Sequence, residues 1–374
     1  MKFLFATGRT PFDSTSGAAQ ASLHLAVHLA AGGNEVVFLA TSGTEGPLPE
    51  DLPVGGFEKF GVRFVIFPVE EARKHSWHYL VGEEYAAYFR SECEVGADWL
   101  VTFGDEEPDR ERRRLAREHG VRVLFGLHNQ HYAGEMPEEV DLFLSPSRFL
   151  SDFYAQHWGD GSGIATFPTP VVPDLVRARS PDPVFVSFVN PQPAKGLYFM
   201  IRLAEQIGRH APEIPLRIVG GRLPAEALAS AARANGIELT EFENIYLAEN
   251  YPDVRDFWVH NRILLMPSVW DEPAGRMPVE AAINGSIALV SPRGGLPEQV
   301  ACSEFVLPVP EDLTPESERV PSAAEVRPWF ERIVVYCEDE RVFEEAVIRA
   351  RAGLARFDVG RWMPGLLERL ASCE

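Results

Sequence analysis

Short apolar runs alternate with helix-period segments from one end of this chain to the other, and that alternation restricts the fold more than any single motif. KFLFA (2–6), EVVFLA (35–40), VRFVIF (62–67), WLVTF (99–103), VRVLFGL (121–127) and DLFLS (141–145) are continuous apolar stretches of strand length. Runs that are hydrophobic at nearly every position suit strands buried on both faces, as in a parallel sheet covered by helices. The segments between carry helical spacing: from Gly17 to Ala31, residues Leu23, Val27 and Ala30 share one face. The pattern predicts a doubly wound α/β domain. PTPVVPDLVRARSPDPVF (168–185) is proline-rich, breaks the alternation and reads as a connection between domains. A second series then begins with VFVSFV (184–189), LRIVG (216–220), NIYLA (244–248), ILLMPS (263–268) and IALVS (287–291), followed by helices to Arg356. WMPGLLERL (362–370) reads as a last short amphipathic helix. The predicted architecture is two similar α/β domains, residues 1–175 and 176–357, facing each other across a cleft.

Composition narrows the partners. A net charge of −20 disfavours nucleic acid and anionic lipid as binding surfaces. No apolar run reaches the ~18–20 residues that a membrane span needs. The start, MKFLFATGRTPFD, turns polar too soon for a signal peptide. Cys93, Cys302, Cys337 and Cys373 are scattered, without C-x-x-C spacing, which fits a reduced, cytoplasmic setting. Arg110, Arg112, Arg113, Arg114 and Arg117 are interleaved with Glu111 and Glu118 and read as a solvated helix face. Only four of the 35 lysines and arginines are lysines, Lys2, Lys59, Lys74 and Lys195, which draws attention to each.

In doubly wound sheets ligands bind beyond the carboxyl ends of the strands, so the loops after strands are where chemistry is expected. After the first strand, Ser14-Thr15-Ser16-Gly17-Ala18 opens a helix; small residues there let backbone N–H groups approach an anion, and they equally make an ordinary helix cap. His128 ends another strand, either as a structural side chain or as a functional one. Lys195 follows Asn190-Pro191-Gln192-Pro193-Ala194 and opens a helix, where ammonium and helix dipole would jointly hold phosphate. Glu272 and Glu280 stand eight positions apart around Gly275-Arg276-Met277-Pro278, between two buried strands. The helix is expected to begin near Gly275–Arg276, with Glu280 two turns in. Backbone N–H groups of Gly275, Arg276 and Met277 are then orphan donors at the helix start.

Taken together these loops resemble the retaining glycosyltransferases of the GT-B fold, specifically the large group called family 4. Ser16-Gly17, His128, Lys195-Gly196, Pro267-Ser268, the pair Glu272…Glu280 (an E-x7-E pattern) and Gly294-Gly295-Leu296-Pro297-Glu298 occur in the family's order over residues 1–300. RFDVGRWMPGLLERL looks like the closing helix that recrosses to the first domain, so residues 358–374 would complete it. The resemblance implies two Rossmann-like domains, the first on the acceptor side and the second on the donor side. It also implies a nucleotide-diphosphate sugar as co-substrate and no cofactor or metal, since no D-x-D element is present.

Residue by residue, the resemblance places Glu272 on hydroxyls of the donor sugar and Glu280 on the ribose, because a carboxylate accepts at both oxygens. Lys195, the helix start at Gly275, Arg276 and Met277, and Ser16-Gly17 would hold the diphosphate; Gly220 and Asn190 lie in the same set of loops. His128, with Lys195 and Glu272, would stand nearest the reacting bond. Two departures stand out. The family commonly reads Gly-Arg before its Lys-Gly, whereas Asn190–Ala194 is one residue shorter and has no arginine, so Arg222 or Arg276 would have to supply that charge. An aromatic is usual where Ala274 stands, which alters the expected sugar pocket. Asp105, Glu106 and Glu107, with Trp77, His78 and Tyr79, are candidates for a small or soluble acceptor; the acids equally suit a helix cap. Two alternatives stay open: a nucleotide-sugar 2-epimerase, which shares the architecture and needs no acceptor, and a non-catalytic nucleotide-sugar binder, motivated by the missing arginine.

Overall fold

The computed structural model describes residues 1–44, 54–69, 82–159 and 163–373; Lys74, Trp77, His78 and Tyr79 lie outside these residues. The chain divides into two compact units, Met1–Val172 with Phe357–Glu374, and Pro173–Arg356. Among the described residues no helix is long and apolar enough to cross a membrane.

The first unit runs β1 (Lys2–Ala6), α1 (Gly17–Ala31), β2 (Glu35–Thr41), β3 (Gly55–Lys59), β4 (Val62–Phe67), α2 (Glu83–Val95), β5 (Trp99–Thr102), α3 (Glu107–Glu118), β6 (Arg122–Gly126), β7 (Leu142–Ser145), α4 (Arg148–Trp158) and β8 (Ile164–Thr166). Its sheet has the order β3-β4-β2-β1-β5-β6-β7-β8 and is parallel except where β3 meets β4. Phe3, Leu4 and Phe5 in β1 and Val36 to Ala40 in β2 are all buried, because helices cover both faces of these central strands. The edges are different. GGFEK in β3 carries two glycines and two charges, and β8 is three residues long, so neither shows an apolar run; both are absent from the sequence reading.

The second unit runs α5 (Pro173–Val176), β9 (Phe185–Val189), α6 (Leu197–His210), β10 (Leu216–Val219), α7 (Glu226–Ala234), β11 (Ile245–Ala248), α8 (Val254–Val259), β12 (Asn261–Met266), α9 (Met277–Asn284), β13 (Ile287–Val290), α10 (Ala323–Glu338) and α11 (Glu340–Ala352). All its strand pairs are parallel, in the order β11-β10-β9-β12-β13. Asn284, the last residue of α9, donates to the Val176 carbonyl (3.1 Å) and accepts from the Ala178 N–H (2.7 Å). The first stretch of the unit is thereby fastened to that helix. The last helix, α12 (Val359–Ser372), belongs to the first unit. It buries Trp362, Met363, Leu366 and Leu370, and the Arg122 guanidinium reaches its C-terminal carbonyls at Leu370 (3.3 Å) and Cys373.

The arginine-rich helix departs from the expected solvated face. Arg112 and Arg113 of α3 are buried, Arg113 completely. Arg113 donates to the Gly104 carbonyl (2.8 Å) and to Asp105 (2.7 Å), and lies 5.3 Å from the centre of the Phe125 ring. Arg112 pairs with Asp109 one turn away and faces Tyr85. A weakly hydrated planar guanidinium tolerates such burial when carboxylate, carbonyl and ring partners are all supplied.

Candidate functional site

Strand order fixes where to look in the second unit. β9 is central; β10 and β11 run out on one side of it, β12 and β13 on the other. Loops leaving the carboxyl ends of β9 and β12 therefore diverge, and the crevice between them is where such sheets take ligands. Lys195 follows β9 and Glu272 follows β12. Across that switch point the Lys195 ammonium meets Glu272 Oε1 at 2.6 Å. The Val269 N–H donates to the Ala194 carbonyl at 3.1 Å, so the two loops are tied by backbone as well.

Glu272 is 5% exposed. Burial alone would raise its carboxyl pKa, but the neighbouring Lys195 charge and hydrogen bonds from Lys195 and Ser268 hold it below the usual carboxylate range. The Ser268 hydroxyl donates to the same oxygen at 2.6 Å. The Trp270 ring lies 5.5 Å from the Lys195 ammonium, a cation–π distance. Neither Ser268 nor Trp270 has a site role in the sequence reading, although the Pro267-Ser268 motif pointed at this loop.

Glycines make the loop possible. A β-carbon on Gly294 would lie 2.5 Å from the Glu272 nitrogen, and φ there is +59°. The next N–H, of Gly295, donates to the Glu272 carbonyl at 2.7 Å. Gly196, with φ +93°, passes so close to the Pro267 carbonyl that a side chain would overlap it. The Ser291 hydroxyl closes the set by donating to the Ser268 carbonyl at 2.7 Å.

Two positions differ from expectation. Lys195 does not open a helix; it ends a 3-10 turn, Pro193–Lys195, and left-handed Gly196 separates it from α6. Glu280 is the fourth residue of α9 rather than two turns in, because the helix begins at Met277. No side chain caps that end, and Arg276 stands at the cap position. Arg276 and Glu280 are 3.0 Å apart at i,i+4 spacing; Glu280 is buried and Arg276 half-buried. Burial lowers the guanidinium pKa against the pull of Glu280. Ala274 is buried, and Gly275, at φ +93°, abuts the Leu296 side chain.

Asn190 closes the other side of β9. Its backbone is left-handed (φ +62°), its N–H donates to the Val219 carbonyl at 2.8 Å, and its Oδ1 accepts from the Arg222 N–H at 3.1 Å. A β-carbon on Gly221 would lie 2.7 Å from the Asn190 side chain. Gly220 donates to the Ala248 carbonyl at 2.8 Å, and Arg222 is exposed. Asn190, Lys195, Gly220, Arg222, Ala274, Gly275, Arg276, Met277, Glu272 and Glu280 thus all lie on, or just beyond, the loops at one sheet edge.

The remaining candidates belong to the first unit. The Ser16 hydroxyl accepts from the Ala19 N–H at 3.4 Å and caps α1; Gly17 is exposed, with open space where a β-carbon would be. His128 follows β6, edge-on to Phe103 at 5.0 Å, and the missing side chain of Gly126 makes room for its ring. The three acids have local partners. Asp105 binds Arg110 (2.8 Å) and Arg113 (2.7 Å), Glu106 caps α3 in a reciprocal arrangement with Asp109, and Glu107 binds Arg114 (2.7 Å). The helix-cap reading accounts for this cluster. Among the described residues no three His, Cys, Asp or Glu side chains are grouped to hold a metal ion.

Residues 176–315 match the family model described as Glycosyl transferases group 1. Comparison with curated protein sequences gives no match. Among solved structures, the chain is similar to a glycosyltransferase from Rickettsia africae (TM-score 0.68, 13% identity, 100% of this chain and 98% of that one). It is also similar to HepE of Anabaena in complex with UDP and glucose (TM-score 0.66, 15% identity, 100% of both chains). A third is sucrose-phosphate synthase from Thermosynechococcus elongatus (TM-score 0.65, 17% identity, 100% and 99%). The likeness spans nearly the whole of each chain, and the fold is the GT-B fold of two mainly parallel α/β sheets.

Proposed function

We propose that this chain moves a sugar from a nucleoside-diphosphate donor, uridine-linked, to a small or soluble acceptor, with retention of configuration and without a metal. The observation that carries the reading is the Lys195–Glu272 pair across the switch point of the second sheet. The family match over residues 176–315 supports it, as does the UDP and glucose bound by HepE. In the transfer the bond from the anomeric carbon to the diphosphate oxygen breaks, and its electron pair leaves with the diphosphate. The acceptor oxygen forms the new bond on the same face, and its proton goes to the leaving phosphate. Positive charge grows on the sugar and negative charge on the leaving group, so fixed donors at the leaving group lower the barrier most.

Within this reading Lys195 serves the diphosphate and Glu272 the sugar hydroxyls, each already held in place by the other. Glu280, 3.0 Å from the Arg276 guanidinium, serves the ribose. The N–H groups of Gly275, Arg276 and Met277 serve phosphate oxygens; for Ser16, Gly17 and His128, in the first unit, a part in the same reaction rests on the family resemblance alone. The acceptor belongs to the first unit, and the setting is cytoplasmic without stable membrane association.

The test is product analysis by mass spectrometry with a panel of nucleotide sugars and soluble acceptors, with and without EDTA. A new glycoside that keeps the donor's anomeric configuration, formed equally in EDTA, is expected. Epimerised donor without glycoside would make the protein an isomerase. Tight UDP binding with no turnover would make it a sensor, the reading favoured by the absence of arginine from Asn190 to Ala194.

A further inference from the structure

Glu272 depends on an ammonium that the proposed reaction also needs. Its Oε1 accepts from Lys195 and from the Ser268 hydroxyl, both at 2.6 Å. A diphosphate in the crevice competes for the same ammonium, and the competition sharpens as negative charge grows on the leaving group. A carboxylate that is 5% exposed is then left with one neutral donor, a costly state for a buried charge. The same loop carries a further donor. Trp270, two residues before Glu272, buries its indole Nε1, and among the described residues that N–H has no hydrogen-bond acceptor. Trp99, Trp258 and Trp362 also bury unpaired indole nitrogens, but they are core side chains. Of these four, Trp270 is the one on a loop beyond a strand end, with the Lys195 ammonium 5.5 Å from its ring. Burial raises the Glu272 carboxyl pKa; against it act Lys195, Ser268 and also the Trp270 N–H, which lies close to the carboxylate without completing a hydrogen bond.

We infer that Trp270 is a positioning residue for the transfer: when a donor diphosphate draws the Lys195 ammonium toward itself, the indole N–H donates to the Glu272 carboxylate and holds it for the sugar. A buried donor without an acceptor is destabilising in itself, and a second arrangement of the loop that satisfies it gives the tryptophan a reason to stand here. An indole suits the role because one side chain offers both parts. Its face attracts the ammonium, and its N–H, at the ring edge, donates to the acid. The inference rests on the donor reading above.

Nuclear magnetic resonance of the full-length protein, isotope-labelled at tryptophan, tests it, because an indole N–H proton moves downfield when it donates. Trp270→Phe identifies the Trp270 signal among those of the seven tryptophans. Lys195→Met removes the ammonium without any ligand, so the Trp270 proton should lie downfield of its wild-type position. That move should vanish in Lys195→Met/Glu272→Gln, where no carboxylate remains to receive the N–H. UDP added to the wild-type protein should shift the signal in the same direction as Lys195→Met does. Trp270→Phe keeps a ring face and loses the N–H; its kcat should fall roughly ten-fold while KM changes about two-fold or less, the mark of a contact made in the transition state. An unmoved signal in Lys195→Met, or a move that persists in the double variant, overturns the inference. An unmoved signal in wild-type protein that binds UDP, or an unchanged kcat in Trp270→Phe, overturns the positioning role in the reaction. Failure of the wild-type protein to bind UDP overturns the donor reading itself, and is told apart because the Lys195→Met shift needs no ligand.

Discussion

Glu272 sits too deep to remain ionised without a counter-charge, and Lys195 supplies it from a partly exposed stem. Lys195→Met would leave that carboxylate buried and unmatched. The expected destabilisation is roughly 1–3 kcal/mol, below the scale of a fully buried pair because water still reaches the lysine. Urea denaturation checks it, and most of the loss should disappear in Lys195→Met/Glu272→Gln. The pair also sets a pH dependence. The Glu272 carboxyl is held below the value it has in the unfolded chain, so its contribution is present above the ordinary glutamate pKa and is lost as pH falls through the depressed one. Wild-type protein should therefore lose stability on acidification more steeply than Glu272→Gln, as read by thermal melts between pH 6 and about pH 3. Much of this site was legible in the sequence, since E-x7-E, Lys195-Gly196 and Gly294-Gly295 all fall where the geometry needs them. The mutual neutralisation of Lys195 and Glu272 was not, because 77 residues separate them and only the strand order brings them together.

At the scale of elements, glycine marks where loops must touch. Gly294→Ala would push a β-carbon into the backbone of Glu272 and strain a left-handed residue, so the Glu272 loop has to move. Loss of about 2 kcal/mol or more is expected, with loss of sugar transfer. Gly17→Ala is the contrast: it has open space and stands at the first position of α1. Stability should hold or rise by about 0.5–1 kcal/mol. On the donor role proposed for Gly17, turnover should fall without a fall in stability. Calorimetric melting beside an activity assay separates the two variants. The same scale explains the sequence reading's misses. Central strands announce themselves as apolar runs, whereas β3 and β8 are edges with little to bury. Arg113 looks solvated until Phe125 and Glu139, from other elements, are seen to enclose it.

At the scale of the whole molecule, the chain leaves the first unit at Val172 and returns to it at Phe357. Removing residues 357–374 would strip the cover that Trp362, Met363, Leu366 and Leu370 provide. Four buried side chains of this size correspond to a loss on the order of 5 kcal/mol or more. Hydrogen–deuterium exchange should show the first unit's peptides, β6 above all, losing protection while those of Pro173–Arg356 keep theirs. One further readout is built into α9. Glu280 stands in its first turn, and Asn284, at its far end, grips the Val176 carbonyl and the Ala178 N–H. Eight helical residues make a rod about 12 Å long, stiff enough that its ends loosen together. The Ala178 amide can exchange with solvent only when that far grip opens. A ligand that clamps Glu280 should therefore slow the exchange clock at Ala178, making one remote amide a gauge of occupancy that needs no label on the ligand.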